Sequence, residues 1–153
     1  MKLIFSIFLF LIINQSVSSE ELEATYNLKT KGVNIGSLVW KLNTTEDFFK
    51  TSIALQSNKF VSFLYKFNGQ YIAEGKIENG SLLPITYIQK WQTKKKFRNV
   101  KLFFKNSKVS QLIIDPEEKE HPRVNYKNIE GYKDPITSFL EIIINNRPSK
   151  TID

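Results

Sequence analysis

Few side chains in this sequence have the types and spacing that chemistry requires. Cysteine is absent and histidine occurs once, as His121, in a chain of 153 residues. These counts exclude a disulfide framework, a thiolate metal site, a cysteine nucleophile and any site built on two imidazoles. The acids beside His121, in residues 117–122, lack a spacing typical of metal ligands, which favours a solvated loop. Glu74 and Glu78 are too isolated to predict a catalytic carboxylate pair. We therefore expect no enzyme, no catalytic residue, no metal site and no cofactor.

The densest cluster of charge is basic and is interleaved with aromatic side chains. Seven cations and four aromatic residues fall within residues 90–105. Such a cluster can dock onto anionic lipid head groups or another polyanion, which would make a peripheral membrane contact. The alternative, which is more common, is a solvated hairpin end whose lysines discourage edge pairing. On a strand, Lys94, Lys96 and Arg98 would share one face. The candidate basic surface is Lys90, Lys94, Lys96, Arg98 and Lys101.

A second candidate site consists of aromatic residues at alternating positions. A small open barrel needs a filler, and in a carrier that filler is the ligand, for example an acyl chain. Equally, the same residues can be the packed core, which is the more frequent meaning of alternating apolar positions. The candidate ligand-binding residues are Tyr26, Trp40, Phe49, Phe63, Tyr71, Tyr87 and Trp91.

The net charge argues less for a nucleic-acid partner than its size suggests. The chain carries 22 Lys and Arg against 15 Asp and Glu, a formal charge of +7, but only three of the bases are Arg. Excess Lys with little Arg is what AT-rich codons deliver. A nucleic-acid binder more often uses Arg, whose guanidinium contacts phosphate or guanine with two donors at once. We predict no nucleic-acid partner.

Residues 1–19 have the pattern of a cleaved export signal. Lys2 supplies the positive end, residues 3–13 are an almost unbroken apolar run, and small residues precede a cut before Glu20. The run spans about 16 Å as a helix, well short of the ~30 Å hydrocarbon core. An uncleaved N-terminal anchor is the alternative. No later stretch is long enough to span a membrane, so we predict a single exported domain, residues 20–153.

After the signal, apolar residues recur with a period of two, which is typical of half-buried strands. Lys31-Gly32, Asn79-Gly80 and Asn106-Ser107 lie between such stretches and predict tight turns. Residues 59–67 are ambiguous, and we interpret them as a short helical turn or an irregular crossing. The alternating stretches are 24–28, 35–42, 49–55, 70–77, 82–91, 95–105 and 108–114.

One helix follows a polar loop near the end of the chain. Asp134 is a favoured N-cap residue and Pro135 a favoured first helical residue. Apolar residues then recur at helical spacing until residues 145–148, which end the helix. Earlier in the chain, Asn68-Gly69 is a predicted break before the fourth alternating stretch. The predicted fold is mainly β (α+β), an antiparallel meander of about seven strands forming an open barrel with one helix near the C-terminus.

In their order, these elements resemble a family of exported bacterial proteins, domain of unknown function 3108. The resemblance covers residues 23–153. It implies a curved antiparallel half-barrel, similar in outline to periplasmic lipoprotein carriers, and it transfers no catalytic residues. Family members continue with more strands after the Asp-Pro helix, so we expect this chain to be truncated or a short member. The elements that carry the resemblance are Tyr26, Gly32, Gly36, 63–65, the hairpin Gly80-x-Leu82-x-Pro84-x-x-Tyr87, a Lys-rich strand and Asp134-Pro135-x-x-Ser138.

Export, the meander and the aromatic faces lead to two functional hypotheses. The first is a non-enzymatic periplasmic protein of a Gram-negative bacterium that binds or carries an apolar, lipid-like ligand in envelope biogenesis. The alternative is an interaction module of the cell envelope, with a filled core, that pairs its exposed sheet edge with an envelope protein.

Overall fold

The computed structural model describes residues 19–117 and 130–145. Residues 1–18 of the predicted signal, His121 with most of its acidic loop, and everything after Asn145 lie outside this part of the chain. The predictions made for those segments therefore remain predictions.

Within the described residues, seven antiparallel strands form a single sheet in which every strand pairs with its neighbours in sequence. The predicted meander and its open half-barrel are confirmed, since the first and last strands do not pair with each other. The strands are β1 (Glu20–Thr30), β2 (Val33–Thr44), β3 (Phe48–Ser57), β4 (Phe67–Glu78), β5 (Ser81–Thr93), β6 (Phe97–Lys105) and β7 (Lys108–Asp115), and the helices are α1 (Lys59–Leu64) and α2 (Pro135–Asn145).

Three hairpin turns lie where the sequence predicts them. Lys31-Gly32, Asn79-Gly80 and Asn106-Ser107 all have positive φ, between 47° and 81°. Two consecutive residues at positive φ match the right-handed twist of the flanking strands, which favours a two-residue connection. Of the two interpretations of residues 59–67, a short helical turn or an irregular crossing, the structure shows the helical one, as α1.

The core lies on one face of the sheet, which we call the inner face, under α2. Buried side chains come from β2 to β6 and from α2, and Leu140 of α2 is 1% exposed. The core cluster is Leu42, Phe49, Ala73, Leu82, Tyr87, Phe104 and Leu140, with Trp40, Tyr71, Ile77, Leu102, Val109, Ile136 and Ile144 packed against it.

Asp134 begins α2 as the sequence predicts. Its carboxylate accepts hydrogen bonds from the backbone N–H groups of Ile136 (3.0 Å) and Thr137 (2.9 Å) and from the Thr137 hydroxyl (2.6 Å). Because the first N–H groups of a helix have no partner within it, this cap satisfies donors that would otherwise be buried without one. The cap fixes where α2 meets the sheet.

Asn68-Gly69 is the one predicted break that the structure does not show. β4 begins at Phe67 and continues through both residues, with Gly69 paired to Leu55 on β3 and Trp91 on β5. A Cβ atom at Gly69 would lie 3.0 Å from the Phe67 ring and 3.2 Å from the Tyr71 ring. The glycine therefore makes room for two aromatic rings within a central strand, a packing role that its turn-like composition hides.

Candidate ligand-binding surface

A row of side chains crosses the inner face beside the core cluster. The register of β1 to β6 places one residue from each strand next to the following one. At about 4.8 Å per inter-strand step, the row is roughly 24 Å long. We call it the cross-strand row, and its members are Tyr26, Leu38, Leu55, Gly69, Trp91 and Arg98.

The cross-strand row is apolar and partly open to solvent. Tyr26 is 50% exposed, and Leu38, Leu55 and Trp91 are half-buried. At Gly69 the rings of Phe67 and Tyr71 flank the backbone and continue the apolar surface. A long apolar molecule laid across the six strands would remove this surface from water, which is the main source of affinity for such a ligand.

The predicted aromatic set divides between the core and the row. Phe49 and Tyr87 are 2% and 4% exposed and belong to the core cluster, and Trp40 and Tyr71 pack against it. Tyr26 and Trp91 lie in the cross-strand row instead. Phe63 does not join either group, because it lies on α1 with its side chain 82% exposed.

Trp40 is fixed under α2 by contacts on both sides of its ring. The indole Nε1 donates to Thr51 Oγ1 at 2.8 Å, and the Thr51 hydroxyl donates in turn to the carbonyl oxygen of Lys41 at 3.1 Å. The ring also lies 6.1 Å, between centroids, from that of Phe139 on α2. A tryptophan whose polar and apolar contacts are both satisfied within the fold is part of the packing.

The titratable groups beneath α2 serve the packing as well. Burial raises the pKa of Tyr87 to about 12, and the nearby Asp134 carboxylate adds to that shift. Burial also raises the pKa of Asp134, although the hydrogen bonds from Thr137 and Ile136 oppose it. Since the Asp134 oxygens cap α2 and the Tyr87 hydroxyl contacts Gln89 Oε1 at 3.3 Å, the geometry assigns both groups to the structure of the core.

The exposed acids do not come together at one place. Glu74 forms an ion pair with Lys50, 3.4 Å between Oε2 and Nζ, on the opposite face of the sheet, which we call the outer face. Glu78 ends β4 at the Asn79-Gly80 turn. Within residues 19–117 and 130–145, no group of three or more metal-ligating side chains is present.

The predicted basic surface is divided among three places. Lys94 and Lys96 lie in the turn between β5 and β6, where Thr93 Oγ1 accepts from the backbone N–H of Lys96 at 3.0 Å. Arg98 lies opposite Trp91 in the cross-strand row, so its register is that of the inner face. Lys90 is adjacent to Trp91 on β5, and Lys101 of β6 pairs with Ile88, so both lysines fall on the outer face. A shared strand face for Lys94, Lys96 and Arg98 is not seen because β5 ends at Thr93.

Two open clefts accompany these surfaces. One, of about 460 Å³, is lined at the ends of β4 to β7 by residues that include Trp91, Arg98, Lys90 and Phe97. The other, of about 260 Å³, lies near the β2–β3 turn and is lined by residues that include Phe48 and Ile85. Because the larger cleft lies where the strands end, its lining includes Trp91 and Arg98 of the inner face and Lys90 of the outer face.

The sequence prediction missed three members of the row, Leu38, Leu55 and Gly69. Alternation places Leu38 and Leu55 on apolar strand faces, but it does not show that they line up with Trp91 two or three strands away. Gly69 reads as a break rather than as part of a strand. Only the pairing register brings these residues into one row.

Comparison with known proteins identifies a family for most of the chain. Residues 23–144 match the family model described as a protein of unknown function, DUF3108. No curated protein and no solved structure matches the chain. In the part of the chain that the structure describes, both helices are too short or too polar to span a bilayer.

Proposed function

The chain belongs to the DUF3108 family of proteins of unknown function, and from this starting point we propose that it is a non-enzymatic periplasmic protein that binds or carries a lipid-like ligand in envelope biogenesis. The observation that carries the proposal is the cross-strand row. It offers a continuous apolar surface on the face of the sheet that α2 only partly covers.

The chemistry of the row favours an elongated ligand with an anionic end. Five of its six positions are apolar or glycine, and the sixth, next to Trp91, is Arg98. The positive charge of Arg98 attracts a carboxylate or phosphate group to this end of the row. A fatty acid or a phospholipid would place its chain along Leu38 and Leu55 and its acidic group at the Arg98 end.

The row, rather than the core, is the proposed site because α2 already occupies the space above the core. Leu140 fills it from the helix side, and Phe49 and Ala73 fill it from the sheet. A ligand placed there would have to displace a helix whose N-terminus is capped by a buried carboxylate. The periplasmic location rests on the signal-like residues 1–19 and on the resemblance to exported bacterial proteins.

The two tryptophans of the chain provide the test. Trp91 lies in the row, and Trp40 lies under α2. We would titrate the delipidated protein with a brominated fatty acid, whose bromine quenches nearby indoles. In Trp40→Phe, where Trp91 is the only indole, emission should fall saturably. In Trp91→Phe, where Trp40 remains, the same titration should quench much less.

Either of two results would refute the carrier proposal. One is the absence of saturable quenching in both variants, and the other is equal quenching of both, which would put the ligand in the core. Native mass spectrometry of the protein purified from the periplasm distinguishes the lipid carrier from the alternative, an interaction module. A stoichiometric protein partner with no extractable lipid would favour an interaction module, for which β1, paired only with β2 among the described residues, is the available edge.

A further inference from the structure

The short helix α1 exposes most of its apolar side chains, while its serine is half-buried. Phe60, Phe63 and Leu64 are 79%, 82% and 78% exposed, and Tyr65, just after the helix, is 61% exposed. A surface helix of a globular protein normally turns its apolar stripe toward the core. A cluster of four large exposed apolar residues within six positions therefore indicates a contact made with something else.

Polar contacts hold α1 in this orientation. Asn58 caps the helix, with its Oδ1 accepting from the backbone N–H of Val61 at 2.7 Å, and its amide nitrogen donates to the carbonyl oxygen of Asn34. The hydroxyls of Ser57 and Ser62 lie 2.8 Å apart, and Ser57 Oγ also accepts from the Phe67 N–H at 3.0 Å. Because Asn58 and Ser62 bind the sheet, Phe60, Phe63 and Leu64 are left facing outward.

The basic turn between β5 and β6 lies directly against α1. The ammonium of Lys94 donates to the carbonyl oxygen of Phe63 and lies 5.6 Å from the centroid of the Phe63 ring. The exposed lysines of this turn therefore border the exposed aromatics. We call the combined surface the docking patch, and it consists of Lys59, Phe60, Phe63, Leu64, Tyr65, Lys66, Lys94, Lys95 and Lys96.

The turns at the two ends of the sheet differ in charge. Segment 58–66 and the turn 94–96, both at the α1 end, contain five lysines and no acid. The described acids at this end are Asp115 and Glu117, after β7 and across the sheet from α1. At the opposite end, Glu46 and Asp47 lie in the β2–β3 turn and Glu78 precedes the β4–β5 turn, while Lys105 and Lys108 flank the β6–β7 turn, so the two signs are mixed there. A negative surface would therefore attract the protein with α1 foremost.

From these observations we infer that the docking patch binds the surface of a bilayer that contains anionic lipid. Aromatic and leucine side chains ringed by lysines are the pattern of segments that lie about 5–10 Å deep in the head-group region while their cations contact lipid phosphates. The four apolar side chains protrude with lysines around them, which suits insertion between lipids better than contact with an acidic protein surface. This inference does not require the cross-strand row to hold a ligand.

Co-sedimentation of the full chain with vesicles tests the inference. We expect binding to vesicles of mixed phosphatidylglycerol and phosphatidylcholine, much weaker binding to pure phosphatidylcholine, and loss of binding as salt is raised. Lys95→Gln with Lys96→Gln should reduce the partition constant by roughly thirtyfold, from the usual effect of two lysines at an anionic surface. Phe63→Ser with Leu64→Ser should reduce it at least tenfold while the folded structure is kept.

The matched control is Lys76→Gln with Lys105→Gln, which removes the same charge from exposed lysines of β4 and β6 toward the opposite end of the sheet. It should retain nearly all binding. Equal loss in the control and in Lys95→Gln with Lys96→Gln would show attraction by net charge alone and overturn the inference. So would the absence of binding to phosphatidylglycerol vesicles, which would leave an acidic protein as the occupant of the patch. Quenching of Trp91 by the brominated fatty acid, measured in the same variants, tests the ligand proposal independently of membrane binding.

Discussion

The ring of Trp40 on β2 meets the ring of Phe139 on α2 with their centroids 6.1 Å apart and their planes inclined by 56°. Since α2 otherwise contacts β4 and β5, this pair extends the helix contacts to the second strand of the sheet. The helix thus closes one part of the inner face and leaves the cross-strand row beside it. The position of α2 separates core from candidate site.

The packing of α2 against the sheet predicts a large effect for one residue of the helix and almost none for another. Leu140→Ala removes a side chain that is 1% exposed and should lower the free energy of unfolding by about 3 kcal/mol. Ile142→Ala changes a side chain that is 61% exposed and should alter it by no more than about 0.5 kcal/mol. Urea denaturation followed by circular dichroism measures both. Similar losses for the two would mean that α2 does not pack as described.

Gly75 should tolerate no side chain. A Cβ at this position would lie 2.1 Å from the carbonyl oxygen of Leu83 and 2.8 Å from the Phe49 ring, beside an irregularity in the β4–β5 register. We expect Gly75→Ala to cost about 3 kcal/mol, because backbone on a central strand must move. Gly32→Ala is the comparison, since its Cβ meets open space and only the φ of 81° opposes it, at about 1 kcal/mol. Chemical denaturation should rank the two in that order, and the reverse ranking would contradict the packing.

Asp134 predicts an unusual dependence of stability on pH. Burial raises its pKa in the folded protein above the ordinary value of 3.8, so between these two values the folded state binds more protons than the unfolded state. Wild type should therefore lose stability relative to Asp134→Asn as pH rises through this window, and the difference should be constant above it. Urea denaturation at pH values from about 3.5, just below the ordinary carboxyl pKa, to about 7 would show this.

The control for this pH effect is Asp47→Asn, whose side chain is exposed in the β2–β3 turn. Comparing this variant with wild type over the same range separates the effect of the buried carboxyl from that of removing one exposed carboxyl. A difference that grows with pH in favour of wild type over Asp134→Asn would have the opposite sign and would refute the assignment.

The cross-strand row predicts a selective loss of ligand affinity. Leu55→Ser places a hydroxyl in the middle of the row and should weaken fatty-acid binding about tenfold, because roughly one buried leucine side chain of contact is lost. Ile113→Ser removes an exposed apolar residue from the outer face of β7 and should leave binding unchanged. Isothermal titration calorimetry compares the two. Unchanged affinity in Leu55→Ser would remove the row as the site.

Much of the fold can be read from local sequence. Asn79-Gly80 occupies a turn conformation that few other residue pairs adopt without strain, and alternation identifies the strands on either side of it. Asp134-Pro135 likewise marks the beginning of α2. The short helix α1 follows from the spacing of its apolar residues, although that spacing alone suggests burial and the structure shows exposure.

The site is harder to read because it depends on register across six strands. Irregularities interrupt the pairing at Leu28/Lys29, Glu74/Gly75 and Phe103/Phe104, and a shift of one residue moves a side chain to the other face of a sheet. Alternation selects Phe49 and Trp91 equally, and both lie on the inner face, but Phe49 belongs to the core beneath α2 and Trp91 to the row beside it. The basic residues divide for a similar reason, since the chain turns after Thr93.

The sequence by itself determined the seven strands, their turns and the cap of α2, because each depends on the conformational preferences of a few adjacent residues. Tertiary structure alone decided which aromatic residues α2 buries, which apolar residues line up in the cross-strand row and that α1 faces outward. These outcomes depend on contacts between residues far apart in the chain, such as Trp40 with Phe139 and Lys94 with Phe63. Local preferences contain no information about such pairings.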